Sequence, residues 1–190
     1  MIDSTAIKFT FFLLLTFIVV ACGLSTANAQ SADAGAPALF DPVASVVMHP
    51  RCMNCHQIDA PHQNDNRIPH GQQVIGGADG KGGPYLKCVA CHQTTNTGNG
   101  IVPGAQGWRL ATLNMHWEGL NEKQICEQMK DPARNGGRRT GEQVIEHMKA
   151  DPVVLWAWDP GAKRTTPPLS HDKFIQSLET WANAGMPCPQ

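Results

Sequence analysis

The stretches CMNCH, at residues 52–56, and CVACH, at residues 88–92, decide how this chain is built. Each has two Cys residues separated by two positions and a His directly after the second Cys. Paired Cys residues at this spacing occur in zinc sites, in thiol redox sites and in covalent haem sites. The rest of the sequence favours one of these three.

Zinc and thiol chemistry fit the two motifs poorly. A zinc site would combine both Cys pairs, but 32 residues separate them, compared with about 15–20 in a zinc ribbon. A thioredoxin-like site needs one pair beside a β-α-β pattern, whereas this chain has two pairs and no such pattern. Zinc ligation and two structural disulfides would both leave the two His residues without a role.

Covalent haem gives a role to each Cys and His of both motifs. Two Cys thiols can add to the two vinyl groups of one porphyrin, and the adjacent His can then supply a nitrogen to the iron. We therefore predict two haem c groups. Their binding residues are Cys52, Cys55 and His56 in the first motif and Cys88, Cys91 and His92 in the second, with His56 and His92 as iron ligands.

The N-terminal segment is typical of an export signal. Lys8 precedes the apolar run FTFFLLLTFIVVACGL, and the small residues of ANA follow at 27–29. We predict a signal peptide over residues 1–29 and a periplasmic location, where haem c is attached. The alternative is lipidation of Cys22, because VVAC at 19–22 resembles a bacterial lipobox, and a lipid there would anchor the protein to a membrane.

The composition after the predicted cleavage site is poor in large aliphatic side chains. Only 26 of the 161 residues from Gln30 onward are Leu, Ile, Val or Phe, which is below the usual share for a globular core. The net charge is only −1, so the chain lacks the high charge of a disordered protein. Two apolar porphyrins would supply the missing interior surface, since buried apolar area stabilises by about 25 cal/mol per Å² whichever group provides it.

We predict a mainly α fold with long loops, forming one compact di-haem cytochrome c-like domain over residues 40–190. A flexible leader is expected at 30–39. The two motifs begin only 36 residues apart, so both haems are expected to share this domain. The glycine- and proline-rich stretches 57–87 and 93–107 predict loops. The stretch RNGGRR at 134–139 is interpreted as a solvated turn rather than a nucleic-acid site.

The sequence contains one helix signal before the first motif and several in the second half of the chain. An N-cap is expected at Asp41, before a proline. Asn121 and Gln124 have the spacing of a capping box, and further helices are predicted over 142–149 and 172–184. The five Trp residues, all from Trp108 onward, are expected to pack in the core, with the alternative that one or two lie against a haem.

Two cysteines lie outside the motifs and the signal segment. Cys126 and Cys188 are therefore predicted to form a disulfide. It would tie the C-terminus to the helix that starts near residue 121.

Each predicted iron has one further axial position. The spare histidines are His49, His62, His70, His116, His147 and His171. His147 is favoured because it lies on the apolar side of its helix, and His70 because it lies in the glycine-containing segment between the motifs. Met115 and His116 remain alternatives. Two His ligands would give a lower reduction potential than His with Met.

Several stretches together resemble one family. They are HPRCMNCH, PHGQQVIGGADGKGG, CVACH, PGAQGWRLATLNMHWEGL, KDPARNGGRR, EHMKADPVVLWAWDPG and the terminal CP. The chain resembles, over most of residues 47–189, small exported di-haem cytochromes c that are labelled isoquinoline 1-oxidoreductase-associated subunits. His70, His147 and Met115 fall in these stretches. The resemblance implies an electron acceptor that works beside a molybdenum hydroxylase.

The function expected from these features is electron transfer between a redox enzyme and the respiratory chain. The chain itself is not expected to be an enzyme, to take a small-molecule substrate or to bind nucleic acid. Its partners would be redox proteins, and about four haem propionates would make it acidic enough to be steered toward a basic patch. The alternative is a small di-haem peroxidase-like enzyme or a haem-based sensor, either of which needs an iron with an open position.

The thin aliphatic core leads to a prediction about folding. We expect the chain made without residues 1–29 and without haem not to fold stably, because its own side chains bury too little apolar surface. Far-UV circular dichroism during urea titration measures this. A cooperative unfolding transition in the haem-free chain would contradict the prediction.

Overall fold

A computed structural model describes residues 39–58, 60–161 and 163–190. All of them belong to one compact unit, Ala34–Gln190. The predicted signal peptide over 1–29, Cys22 and the predicted leader over 30–39, except Leu39, lie outside the described residues. None of the helices in the described part has the length and apolar character needed to cross a membrane.

Helices dominate the described residues, which confirms the mainly α prediction. The six α-helices of the described part are α1 Asp41–Val47, α2 Pro50–Met53, α3 Glu122–Lys130, α4 Gly141–Ala150, α5 Pro152–Leu155 and α6 His171–Asn183. One small antiparallel ribbon pairs β1 His62–Gln63 with β2 Ile68–Pro69. Short 3-10 turns lie at Gly71–Gln73, Cys88–Ala90, Leu113–Met115 and Trp156–Trp158. The stretch 57–87 predicted as loop thus holds the ribbon and one such turn.

The main hydrophobic core lies between the longer helices. The C-terminal helix α6 contacts both α1 and α4, and the ring of Phe40 lies 5.3 Å from that of Trp181. Residues three or four positions apart on a helix share one face, which is why the apolar positions of each helix point inward together. The buried side chains are Val43, Val46 and Val47 of α1, Ile125 and Met129 of α3, Val144 of α4, and Phe174, Ile175, Leu178 and Trp181 of α6.

The helix starts agree with the sequence at α3 and differ at α1. The Asn121 side chain accepts a hydrogen bond from the Gln124 N–H at 3.0 Å, and the Gln124 side chain accepts one from the Asn121 N–H at 2.9 Å. The expected capping box is therefore present. The prediction that Asp41 is an N-cap is wrong, because α1 already includes Asp41 and Phe40 takes the cap position. Phe40 is fully buried against α6, so its packing fixes where the chain enters the helix.

The helices predicted over 142–149 and 172–184 are present within one residue at each end. They are α4 and α6. Gly185 follows α6 with a φ of 83°, the left-handed conformation that ends helices and that glycine adopts without strain.

The predicted disulfide is confirmed by the Cys126 and Cys188 sulfurs, which lie 2.08 Å apart. Cys126 is fully buried in α3. The Trp181 indole N–H donates to the Pro187 carbonyl at 2.8 Å, so the C-terminal segment is held at two points. This end of the chain closes over the core between α3 and α6.

Removing the cross-link should lower stability. We expect Cys126→Ala/Cys188→Ala to reduce the unfolding free energy by about 4 kcal/mol, because a bridge across 62 residues restricts the unfolded chain. Urea unfolding of the purified protein measures the loss. Cys188→Ala alone is the control and should lose nearly as much. If both variants lost less than about 1 kcal/mol of unfolding free energy, the bridge would not restrict the unfolded chain as the chain-entropy account requires.

Candidate functional site

Both Cys-x-x-Cys-His motifs fold into the same tight helical turn. The His56 N–H donates to the Cys52 carbonyl at 3.3 Å, and the His92 N–H donates to the Cys88 carbonyl at 2.9 Å. The first turn continues α2, and the second follows the 3-10 turn at Cys88–Ala90.

The imidazole of His56 is fixed by a carbonyl and by an indole. Its Nδ1 lies 2.7 Å from the Met115 carbonyl oxygen, and its ring stacks on Trp117 with centroids 3.6 Å apart and planes 9° apart. A carbonyl only accepts hydrogen bonds, so Nδ1 carries the proton and Nε2 keeps a free lone pair. Metal-binding histidines are commonly oriented by such a bond from the other ring nitrogen.

The second motif repeats this arrangement with different partners. The His92 Nδ1 lies 2.8 Å from the Pro103 carbonyl oxygen, and the ring stacks on Trp108 with centroids 4.6 Å apart and planes 4° apart. Trp108 and Trp117 are therefore buried against the motif histidines. Trp181 is buried as well, and Trp156 and Trp158 are partly buried. The expectation that the tryptophans pack in the core is therefore largely confirmed, and contact with a haem stays a prediction.

Burial keeps these histidines neutral. It lowers the pKa of His56 to about 4 and also lowers the pKa of His92, because a charged imidazolium is poorly solvated away from water. A neutral imidazole is the form that binds a metal ion.

A cavity of about 290 Å³ adjoins the first motif. Cys52, Cys55 and His56 line it, and so does His147, the predicted second ligand, which lies on α4. Burial, together with the nearby positive charge of Arg138, lowers the pKa of His147 to about 4. One cavity thus brings together two thiols and two neutral imidazoles.

Asp151 orients His147 from the end of its helix. The His147 Nδ1 lies 3.4 Å from an Asp151 carboxylate oxygen. That carboxylate also accepts hydrogen bonds from Arg109 and, at 2.9 Å, from the Val153 N–H. With Nδ1 facing Asp151, Nε2 is the nitrogen left for a ligand in the cavity.

His70, the other predicted second ligand, lies beside the second motif. Its ring centroid is 5.9 Å from that of His92, and its Nδ1 lies 2.8 Å from the Gly71 carbonyl oxygen. Metal–imidazole bonds are about 2 Å long, so two imidazoles at this separation could hold one metal ion between them. Gln72 and Gln73, which follow, have φ of 59° and 50°, a strained conformation that is often found at functional sites.

The remaining candidates have other positions. Met115 lines the same cavity as His147 and stays an alternative ligand through its sulfur, while its backbone carbonyl accepts the His56 hydrogen bond. The Nδ1 of His116 lies 2.8 Å from the Leu113 carbonyl. His49 caps α2 and contacts Thr165, and the Nε2 of His171 lies 3.0 Å from the Met148 carbonyl. His62 lies on β1, and its N–H donates to the Asn54 carbonyl of the first motif at 3.0 Å. Among the spare histidines, His147 shares the cavity with His56, and the ring of His70 lies near that of His92.

The motif cysteines are unlike redox-active thiols. Burial raises the pKa of Cys52 to about 12 and that of Cys55 to about 11, and it also raises the pKa of Cys88. Thiol redox sites depend instead on a lowered pKa. Cys91 is exposed, and all four motif cysteines are unbridged. Across the described ranges, no group of three or more His, Cys, Asp or Glu side chains is arranged to hold a metal ion.

One short segment connects the two motifs. The Ala111 N–H donates to the Cys55 carbonyl at 3.3 Å, and the Leu110 N–H donates to the Gly80 carbonyl at 2.8 Å. The same Gly80 carbonyl accepts from the Cys88 thiol at 3.8 Å. A Cβ at Gly80 would lie 2.4 Å from the Leu110 oxygen, so this approach requires glycine. The two motifs therefore belong to one packed unit.

The arginines around the cavity were missed from the sequence. Arg134 and Arg138 of RNGGRR line it, so the interpretation of that stretch as a solvated turn is wrong for these two residues. Arg51, directly before the first motif, lines it as well, and its side chain is 1% exposed. The position of Arg51 directly before the first motif could have indicated that it lines the site. The contacts of Arg134 and Arg138 depend on tertiary packing and have no such signal in the sequence.

The lowered histidine pKa values predict acid destabilisation. Below about pH 6.5 an unfolded histidine binds a proton, whereas burial alone keeps folded His56 and His147 neutral down to about pH 4. A metal ion bound to these imidazoles would also hold them in the neutral form. The unfolding free energy should therefore fall as the pH drops from 6.5 to 4, by up to about 1.4 kcal/mol per pH unit for each histidine.

Urea unfolding at several pH values tests this, and His147→Gln should remove about half of the pH slope that the two groups produce. Repeating the series at high salt screens the surface charges and serves as the control. A wild-type slope in His147→Gln would contradict the assignment.

No protein-family model, curated protein or solved structure matches the chain. The resemblance to exported di-haem cytochromes c therefore stays a prediction.

Proposed function

We propose that this protein is an exported, periplasmic electron carrier that holds two covalent haem c groups. The observation that carries the proposal is the repeated construction of the two motifs. Each presents a neutral imidazole that is fixed through Nδ1 by a backbone carbonyl and stacked on an indole. Each also has a second histidine within the same cavity or within 5.9 Å.

The residues around the first motif fit a porphyrin. Two neutral thiols and one imidazole line the same cavity, which is what attachment at two points with ligation at a third requires. Arg51 adds a buried donor, since its Nε has no hydrogen-bond partner among the described residues. A buried N–H without an acceptor is unfavourable, and an anionic ligand group in the cavity would relieve it.

The surroundings of the second motif fit a porphyrin in a different way. Several large apolar side chains near it in the sequence are exposed, namely Ile75, Tyr85, Leu86 and Val89. Ile75 lies against Gly83 in the loop that leads to Cys88. An apolar group attached at Cys88 and Cys91 would cover part of this surface, which is the favourable direction for apolar area in water.

Both axial positions of each iron would be filled by this chain. His56 and His147 would serve the first haem, and His92 and His70 the second. When bound, haem supplies a reversible one-electron couple. No coordination position of either iron would then be left for a substrate. This favours electron transfer over the function of a peroxidase or a sensor.

The partners follow from the same proposal. Leu110 and Ala111 connect the motifs through hydrogen bonds to Gly80 and Cys55, and this closeness favours passage of electrons between the two sites. A redox enzyme would be the donor, and the sequence resemblance suggests a molybdenum hydroxylase. The respiratory chain would be the acceptor.

Spectra of the purified holoprotein test the proposal. We expect low-spin signals from both irons in both redox states and no change when CO is added. His147→Ala and His70→Ala should each make one iron high-spin and able to bind CO, while the other iron stays unchanged.

His116→Ala and His171→Ala are the matched controls, and both should keep two low-spin irons. A wild-type protein with a high-spin iron that binds CO would contradict the carrier proposal. It would favour the enzyme or sensor alternative instead.

A further inference from the structure

The cavity beside the first motif has an excess of positive charge. Four arginines line it, with the carboxylates of Asp79 and Asp151. Arg51 pairs with Asp65, and Arg109 pairs with Asp151. The other two are Arg134 and Arg138, and neither forms an ion pair with a carboxylate in the part of the chain that the structure describes. Two guanidinium groups at the cavity thus lack a counter-charge.

A side-chain amide holds the Arg134 guanidinium, and a backbone carbonyl holds that of Arg138. Arg134 donates to the Gln128 side chain at 2.6 Å, and the Gln128 amide donates in turn to the His116 carbonyl at 3.0 Å. Arg138 donates to the Asn135 carbonyl, and the Asn135 amide donates to the Met129 carbonyl at 2.8 Å. Gln128 and Asn135 are both buried, so the loop is ordered from its inner side.

Each guanidinium keeps most of its donors for a ligand. An arginine has five N–H donors, and the contacts above use one from each group. Burial also lowers the pKa of Arg138, although the negative charge of Asp151 opposes this shift, because a cation is costly to hold away from water.

The glycines of the loop permit its approach to the cavity. Gly136 has a φ of 78°, which side chains rarely adopt. A Cβ there would lie 2.5 Å from the Arg138 Nη1 and 3.4 Å from the Met115 sulfur. Any larger residue would displace the arginine or the loop.

We propose that Arg134 and Arg138 bind the two carboxylates of the haem attached at Cys52 and Cys55. This inference rests on the proposed function. A porphyrin of this kind carries two propionate groups, and two uncompensated guanidinium groups match them in number and in sign. Hydrogen bonds between charged partners are about twice as strong as neutral ones, and they supply the counter-charge that the cavity lacks.

The binding has an electrostatic consequence for one iron. Neutralised propionates stabilise the ferric form less than free ones do, so the arginines raise the reduction potential of the first haem. Arg134→Gln and Arg138→Gln should each shift its reduction equilibrium about tenfold toward the oxidised form, which is 59 mV for a one-electron couple. The second haem should keep its potential.

Spectroelectrochemical titration of the di-haem protein measures both potentials. Arg139→Gln is the matched control, because Arg139 is exposed in the same loop and does not line the cavity. Potentials in Arg134→Gln and Arg138→Gln that equal those in Arg139→Gln would overturn the inference and leave the proposed function standing. A wild-type protein without haem would overturn both.

A structure of the wild-type holoprotein decides the inference even where a variant does not fold. We expect guanidinium–carboxylate distances of about 2.7–2.9 Å from both arginines to the propionates of the first haem. Propionates that lie in solvent, or that pair only with other residues, would overturn it.

Discussion

The hydrogen bond from Nδ1 of His56 to the Met115 carbonyl is the interaction on which the rest of the structure depends. It joins the first motif to a segment 59 residues away. The bond from His92 to the Pro103 carbonyl joins the second motif to the start of that segment, 11 residues further along the chain. Together they hold the 103–118 segment against both motifs and set the tautomer of both rings. Trp108 and Trp117 lie on the same segment, so the bonds also place the indoles that stack on these rings.

The two sites differ in their surroundings even though their histidines are held alike. The first adjoins a cavity that is lined by buried arginines and by His147. The second has an exposed Cys91 and exposed apolar neighbours. In the proposed holoprotein, one haem would therefore be enclosed and neutralised by the chain, while the other would lie nearer the surface. A buried charge interacts more strongly with its surroundings than an exposed one, so the two haems would differ in potential.

Structural features that depend on residues close together in the sequence could be predicted. Features that depend on contacts between residues far apart in the sequence could not. The capping box at Asn121, the helices α4 and α6 and the remaining cysteine pair each follow from local spacing or from elimination. His70 and His147 were favoured from the character of their own segments. The N-cap at Asp41 failed because burial of Phe40 against Trp181 overrides the local signal. Trp117 stacks on His56, and Arg138 lines the cavity beside the first motif. Both contacts join residues far apart in the sequence, so no local pattern predicts them.

The small number of large aliphatic side chains agrees with a hydrophobic core that occupies only part of the molecule. The helices α1, α3, α4 and α6 bury one apolar cluster. Four of its side chains, Val47, Met129, Val144 and Phe174, also line the cavity on the side of the molecule that carries the first motif. The central claim is that two porphyrins complete the interior. Intact-mass measurement of protein matured in a bacterial host that attaches haem c tests it most directly. The account predicts two covalent haem additions, one of which is lost in Cys52→Ala/Cys55→Ala and the other in Cys88→Ala/Cys91→Ala. A mature chain with no addition, or with only one, would contradict it.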